Sequence, residues 1–536
     1  MSFEGEAELE ELEDLEGRGA SRVRDVSTLA RRSTLNFLGG GAFGLFTFLW
    51  LVVVTRGWGA NRAGTLLEAV AFFTIATSLV VLGSEESIVR AVSRELAAGT
   101  VRALGRTLVA ALVPVGIFAV LASAFMWVIA PDVAHLFGSG SDASNLERYI
   151  RMFTLALPFT SLYYAILAAT RGLGAMVPTV AIERVGRTSA QAAGAALVIS
   201  TGGGVTAMAL AWEMPFVIGL GFAAWALYAL MRKTKAQFPN APESPPLLQV
   251  TREFWRFSSY RGLAAIFQTA SLWVDTLIVG ALVSASATAI YTTSSRTIKL
   301  GSLILLAIIQ AMAPQLSDLL SRGQRARAEH VYRVSTWWLM TVTWPVYATM
   351  AVFAPLLLHI FGHGFSTGSE VVVTMAAAML LSTAMGPVDM VLLMGGKSGW
   401  NLINTMTSLT ANITLNFLLI PQFGIEGAAI AWAVAVALNN ILPYIEVRVM
   451  LHITPFAAPG LVPALSALVS YGVIGVAARI VLGPTIGALA LALALGSGLY
   501  FLLLRRFGTR LEFGSLRPGR LAVARQEASR RPAESH

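Results

Sequence analysis

PDVAHLFG, residues 131–138, returns as PLLLHIFG at residues 355–362, and each copy follows a long apolar run. The second copy lies 224 residues after the first. At the same offset Gly99 in LAAGTVRALGR pairs with Gly323 in LSRGQRARAEH, and Gly172 in TRGLGAM pairs with Gly396 in MGGKSGW. At an offset of 220, TGGGVTAMALAW (Thr201 to Trp212) pairs with PQFGIEGAAIAW (Pro421 to Trp432). Four matches in the same order read as an internal duplication rather than coincidence.

The duplicated material is membrane protein. Of 536 residues, 55% are hydrophobic and 13% charged, against roughly 25% charged in soluble domains. Mean hydropathy is +0.67. A spanning helix needs about 20 mostly apolar residues, and fourteen runs qualify: 33–55, 65–84, 107–130, 149–170, 175–200, 204–230, 262–283, 288–312, 333–356, 371–394, 400–420, 426–447, 460–482 and 484–504. Backbone in hydrocarbon must satisfy its own hydrogen bonds, so continuous runs of this length are helices. They lack the alternation of a transmembrane barrel. The duplication offset covers six spans, an even number, so both copies enter the membrane in the same direction as parallel repeats. The expected fold is an all-α integral membrane protein of about 14 transmembrane helices. Two parallel-repeat six-helix bundles face a central cleft, and two extra C-terminal helices follow.

Charge placement sets the topology. With the N-terminus inside, cytoplasmic segments hold 30 of the 39 Lys and Arg, and the outer loops only five: Arg56, Arg62, Arg148, Arg151 and Arg479. That bias predicts an inner or plasma membrane protein with both termini cytoplasmic. The acidic start, MSFEGEAELEELEDLEG, is unlike a signal peptide, which opens on positive charge. The expected organisation is a cytoplasmic tail (1–32), an N-terminal lobe (33–231), a cytoplasmic linker (232–260), a C-terminal lobe (261–450), helices 13 and 14 (451–504) and a basic cytoplasmic tail (505–536). The net charge of +9 is thus a topology signal, with the basic tail touching anionic headgroups. No stretch is long enough for a soluble nucleic-acid module. Without cysteine, disulfides and thiolate metal sites are excluded, and the six His show no metal-ligand spacing.

Arg184, Arg187, Arg296, Lys299, Asp275 and Asp389 fall inside spans. A charge near the bilayer centre costs at least about 2.5–3.5 kcal/mol, so such residues face water or a partner. Arg184 and Arg187 are three apart, as are Arg296 and Lys299, which places each pair on one helix face. Four cations in a cleft suit a diphosphate, whose oxygens guanidinium binds bidentately. The alternative is snorkelling or internal pairing, Glu183 with Arg187 for instance. Asp275 has no basic residue at i±3 or i±4 and is a candidate for carrying a proton or holding a cation; pairing with Arg296 is its alternative. Asp389 is a second ion-coupling candidate. Glu68 and Glu213 are expected near the outer surface, where water makes a carboxylate cheap. The glycines at 39–41 suit close packing or a hinge, packing being the simpler reading.

The run DTLIVGALVSASATAIYTTSSRTIKLGSLILLAIIQAMAPQLSDLLSRGQ resembles the seventh-to-eighth helix region of polysaccharide flippases, through Asp275, Gly280, Tyr291 and Pro314. NFLLIPQFGIEGAAIAWAVA is similar to their Asn–Pro–Gly–Gly-Ala-Ala signature, through Asn416, Pro421, Gly424, Gly427, Ala428 and Ala429. VVVTRGWGANRAG is similar to their Arg-x-x-Gly segment, through Arg56 and Gly59. The resemblance covers roughly residues 33 to 450. It is to the multidrug/oligosaccharidyl-lipid/polysaccharide (MOP) flippase superfamily, polysaccharide-transport branch. It implies two six-helix bundles around a V-shaped, cation-lined cleft. It implies transfer of a polyprenyl-diphosphate-linked oligosaccharide from the inner to the outer leaflet by alternating access, for cell-surface polysaccharide synthesis. It further implies drive by an H+ or Na+ gradient or the membrane potential, with no cofactor. The substrate is a lipid-linked glycan in a membrane, and glycosyltransferases or a polysaccharide polymerase are the expected partners. The two extra helices are similar to those of lipid II flippase and sporulation-protein relatives. The segment Glu183 to Arg187 departs from the family in being more charged.

Alternatives are weaker. A drug or cation antiporter of the same superfamily favours an acidic cavity, whereas these charges lean basic; a lipid II-type precursor flippase is the other relative. GSEESIVRAVSREL lacks the major-facilitator signature. A membrane glycosyltransferase or polymerase needs a sizeable outer loop with catalytic carboxylates, and the longest, about 130–148, offers only Asp132, Asp142 and Glu147. The chain is therefore read as a transporter and not an enzyme.

Overall fold

The computed structural model describes residues 3–138, 140–238 and 245–507, with side chains from Leu38 onward except at 140, 141, 260, 303, 304, 306, 307, 310, 311 and 458. The basic tail beyond Phe507 lies outside the described residues. All described regular structure is helical, with no strand among the described residues. The chain divides into two compact units, Met1–Trp273 and Val274–His536.

In the first unit α1 (Phe3–Val81) holds both of the first two expected spans. No loop separates them. Two helices meet at Gly59 (φ 72°, ψ 178°), a conformation open to glycine and closed to residues with a Cβ. Then come α2 (Ser84–Ala97), α3 (Ala103–Phe137), α4 (Gly140–Gly172), a π-helical segment Thr179–Arg187, α5 (Thr188–Ser200) and α6 (Val205–Gln237). α7 (Leu247–Leu282) carries the boundary between the units within its length. α2 is amphipathic and short. Its Ile88 and Val92 bury against Leu104 of α3, Ala168 of α4, Leu227 of α6 and Phe254 of α7. α7 crosses the α1–α2 turn so closely that a Cβ on Gly83 or Gly262 would collide with the other's backbone or with Leu82. Ser258 seals the crossing by donating to the Leu82 carbonyl (2.9 Å).

The second unit continues with α8 (Ala285–Ser321), α9 (Arg325–Val352), α10 (Ala354–His359), α11 (Ser369–Met385), α12 (Val388–Met394), α13 (Ser398–Phe423) and α14 (Ile425–Glu446). The expected tenth span is broken at Gly386 (φ 68°), and the Tyr332 hydroxyl closes the break by donating to the Met385 carbonyl (2.6 Å). A π-helical stretch, Val447–Leu451, ends the α14 rod. Then α15 (Leu461–Ala467), a π-helical Leu468–Val473 and α16 (Ile474–Leu482) form the thirteenth span, and α17 (Ile486–Phe507) the fourteenth. These last helices dock on α9. Tyr471 and Tyr500 bury beside Ala348, the Tyr500 hydroxyl donates to the Thr341 carbonyl (2.8 Å), and Arg479 donates to the Val352 carbonyl (2.7 Å).

Among the described residues, nine helical segments are long and apolar enough to cross a membrane by length and composition. One of these, Leu38–Ala97, contains the first two expected spans. The four spans outside that set lie on the segment 179–200 and on α8, α9 and α13. All fourteen expected spans therefore fall on helix. The lipid-side surface is plain on α3, where Val113, Ile117, Val120, Leu121, Phe125 and Val128 are all exposed. A contiguous apolar face of that size has lipid as its solvent. The chain is an all-α, multi-pass membrane protein.

The duplication is written in the backbone. Gly99 and Gly323 both take left-handed φ (69° and 70°). In each the glycine N–H reaches back three residues and the next N–H five, to Leu96 and Glu95 and to Leu320 and Leu319 respectively. This is the double-bonded helix stop in which glycine avoids Cβ strain. The conformational partner of Gly396 (φ 77°) is Gly174 (φ 79°), not Gly172, which ends α4 without a positive φ. Sequence matching is off by two residues there because glycines stand at both 172 and 174, and only Gly174 makes the turn, its N–H bonded to Arg171 and the next to Thr170.

Candidate functional site

The second unit holds the denser arrangement. Asp275, on the last third of α7, is 5% exposed. Its carboxylate accepts from the Tyr291 hydroxyl of α8 (3.0 Å) and from Asn416 Nδ2 of α13 (2.8 Å). Asn416 Nδ2 is shared with the Asn412 carbonyl one turn earlier (2.9 Å). Pairing with Arg296 is therefore not what satisfies Asp275; neutral donors do. Around it the polar inventory is incomplete. Asn412 Nδ2 and Oδ1, Asn416 Oδ1 and Thr292 Oγ1 are buried without a hydrogen-bond partner. Buried amides are ordinarily satisfied, and an exception calls for a water, an ion or a role.

Arg296 and Lys299 sit one turn further along α8, both half-buried. Three apart on a regular α-helix, they share a face as expected. The surrounding turns are polar on the buried side: Thr293, Ser294, Ser295 and Thr297 are all buried. Several return their hydroxyls to carbonyls four residues back, Thr293 to Ala289 (2.9 Å) and Thr297 to Thr293 (2.8 Å) among them. Lys299 interacts electrostatically with Asp275, but its ammonium makes no hydrogen bond or salt bridge among the described residues. The carboxylate's hydrogen bonds come from Tyr291 and Asn416, so Asp275 reaches Lys299 only through space.

The first unit carries the other pair, and here the expectation of a common face fails. Arg184 and Arg187 lie on the nine-residue π-helical segment Thr179–Arg187. Bonding from i to i+5 widens each turn, so residues three apart no longer share a face, while residues four apart still do. Arg187 points inward and is 9% exposed. Its guanidinium lies over the Phe216 ring (4.8 Å) and, further off, over the Phe43 ring (5.8 Å). Its Nη1 donates to Gln191 Oε1 (2.9 Å), and Gln191 in turn donates to the Trp212 carbonyl (2.8 Å). Nε of Arg187 has no partner. Arg184 is half-buried, its stem against Gly39 and Gly40 of α1. Glu183 forms no salt bridge with Arg187, whose guanidinium is engaged by Gln191 and the Phe216 ring. π-Helical turns are frequent at functional sites, and this one carries both arginines.

Asp389 is exposed in the first turn of α12, directly after the Gly386–Pro387 break. A carboxylate there complements the helix dipole and has no donor cage of the Asp275 kind. Glu68 and Glu213 correct an expectation: they are 2% and 3% exposed, deep in the first unit. Glu213 follows Trp212, which stacks on Phe153 (4.8 Å), and Glu213 Oε1 has no partner. Asn412 was not singled out by sequence, although its spacing of four from Asn416 on one helix was the available signal. No group of three or more His, Cys, Asp or Glu among the described residues has the arrangement of a metal site.

A family profile described as "Polysaccharide biosynthesis protein" matches residues 29–320, and a second, "MatE", matches residues 262–421. The chain is 27% identical over 198 residues to the probable low-salt glycan biosynthesis flippase Agl15 of Haloferax volcanii. That match takes in 37% of this chain and spans less than half of the curated relative, 42% of its length. In fold the chain is similar to the lipid II flippase MurJ in an inward closed conformation, at a TM-score of 0.72 and 11% identity over 90% of this chain and 99% of that one. It is also similar to an inward-facing multidrug resistance MATE family transporter of the MOP superfamily, at a TM-score of 0.64 and 15% identity over 77% of this chain and 94% of the other.

Proposed function

The chain belongs to the polysaccharide biosynthesis protein family of the MOP superfamily, and on that premise we propose that it is a flippase for a polyprenyl-diphosphate-linked oligosaccharide. It carries the headgroup from the inner to the outer leaflet for cell-surface polysaccharide synthesis, with both termini in the cytoplasm. One observation carries the choice of substrate charge: Lys299 lies three residues from Arg296 on α8, within the expected eighth span, its ammonium without a hydrogen bond or salt bridge among the described residues. Leaving a cation so placed is costly unless it meets an anion in use. A diphosphate supplies that anion twice over, and guanidinium binds its oxygens bidentately. Arg296 and Lys299, in the second unit, are the residues assigned to the diphosphate; Arg184 and Arg187, in the first unit, remain candidates for an anion contact of their own. Asp275, ringed by Tyr291 and Asn416, is assigned to ion coupling through H+ or Na+, with Asp389 as the secondary candidate. No catalytic step is involved; the lipid tail stays in the bilayer while the polar head crosses. The glycan relatives support this reading over export of cationic drugs, which a basic site would repel.

The test is leaflet transfer of a fluorescent polyprenyl-diphosphate sugar in proteoliposomes. Wild type is expected to transfer it, and the double variant Arg296→Ala, Lys299→Ala to slow it about tenfold or more, equivalent to ~1.4 kcal/mol or more of lost binding. Absence of transfer with robust extrusion of cationic dyes would reverse the assignment.

A further inference from the structure

The first unit contains a cavity of about 610 Å³, made by α2, the start of α3 and the start of α7. None of its residues belongs to the cation pairs or to the Asp275 cluster. Arg90 and Arg94 enter from α2 and Arg256 from α7. All three are exposed, and none makes a salt bridge among the described residues. Arg90 lies flat over the Phe257 ring at 4.1 Å, a stacking that fixes the plane of its guanidinium while leaving the N–H edge open.

Two helix amino ends converge on the same space. Ala103 and Thr107 of the first turns of α3 line it, as do Pro245, Gln249 and Val250 at the start of α7. Both helices exceed thirty residues, and the amino end of a long helix carries a partial positive charge that favours an anion, although the N–H groups of Ala103, Leu104, Gln249 and Val250 are already bonded to the carbonyls of Thr100, Val101 and Pro246. The rim is held in place by Arg106, whose Nη1 donates to the Pro245 carbonyl (2.8 Å). Two carboxylates also line the cavity. Glu253 accepts from Gln249 Nε2 (3.1 Å). Glu95 is 7% exposed, accepts from the Thr107 hydroxyl, and has its Oε2 without a partner. The remaining wall is apolar, with Phe254 and Phe257 prominent.

We propose that this cavity binds a phosphate-bearing ligand, the phosphate on Arg90, Arg94 and Arg256 at the two helix amino ends, with the body of the molecule against Phe254 and Phe257. A hydroxyl or ammonium on that body would satisfy Glu95 Oε2. The volume suits a small ligand or a lipid headgroup, since such sites run roughly 300–1,000 Å³. The shared chemistry is a phosphate ester, from a soluble phosphorylated compound or from a phospholipid.

Full-length protein in nanodiscs of neutral phosphatidylcholine is titrated separately with inorganic pyrophosphate and with dioctanoyl phosphatidic acid, by calorimetry. Saturable binding is expected, weakened about tenfold or more by Arg94→Ala with Arg256→Ala, as loss of two charge-assisted contacts predicts. It is expected to be unchanged in Arg325→Ala, which removes an exposed charge elsewhere. Arg256→Glu alone, on α7 and away from the α2 core, is the second variant and is expected to weaken binding similarly; unfolding midpoints confirm that each variant is folded. Binding of pyrophosphate identifies a soluble source, and binding of phosphatidic acid alone identifies a lipid headgroup. No saturable binding of either probe, or binding that the variants leave unchanged, overturns the proposal.

Discussion

Asp275 shows what a carboxylate in a spanning helix demands. Its two donors, Tyr291 and Asn416, come from different helices, so its charge state reaches both. Asp275→Asn replaces an acceptor pair with one acceptor and an amide that meets the Asn416 donor head-on. The expected stability loss is about 1–3 kcal/mol, with the sharper consequence in coupling. Gradient-driven accumulation of the lipid-linked sugar in proteoliposomes should fall about tenfold or more, while exchange without a gradient continues. Equal loss in both assays would assign Asp275 to the fold rather than to coupling. Asp275 was legible because a lone Asp in an apolar run has few uses. Glu68 and Glu213 were misjudged for a physical reason. Hydropathy reports that a position is near the end of a run, but not that packing within the first unit leaves it 2% or 3% exposed.

At the scale of the element, the π-helical segment Thr179–Arg187 is the feature no periodicity revealed. One extra residue per turn leaves composition unchanged and redirects every side chain after it. That is why two arginines read as sharing a face end up in different environments. The segment packs against the glycines at the start of the first span. A Cβ on Gly39 would stand 3.0 Å from Val180 and 3.1 Å from the Arg184 stem, whereas Gly41 has no such neighbour within 4 Å. Gly39→Leu is therefore expected to destabilise by about 1–3 kcal/mol, read as a lowered unfolding midpoint in detergent. Gly41→Ala should leave both midpoint and transport unchanged. A transport defect in Gly41→Ala would restore the hinge reading of these glycines.

At the scale of the whole molecule, the apolar runs and the repeated octapeptide made the helical class and the span count legible, because lipid leaves the backbone so few alternatives. Breaks at single residues, Gly59 and Gly386, were not, since a turn of one glycine leaves hydropathy almost untouched. Orientation rests on the placement of Lys and Arg and can be checked directly, because the chain has no cysteine of its own. Single cysteines at Ser2→Cys and Ser535→Cys should react with a membrane-impermeant thiol reagent only after cells are permeabilised. Ser144→Cys, between the third and fourth spans, should react in intact cells. Labelling of either terminus in intact cells would overturn the topology.

The final helices hold α9 by a different kind of bond. Arg479 and Tyr500 both donate to main-chain carbonyls, those of Val352 and Thr341, rather than to side chains. A carbonyl is supplied by whatever amino acid occupies the position. The side chains at 341 and 352 can therefore drift without loosening the attachment, and related chains should keep the donors far more faithfully than the residues that receive them.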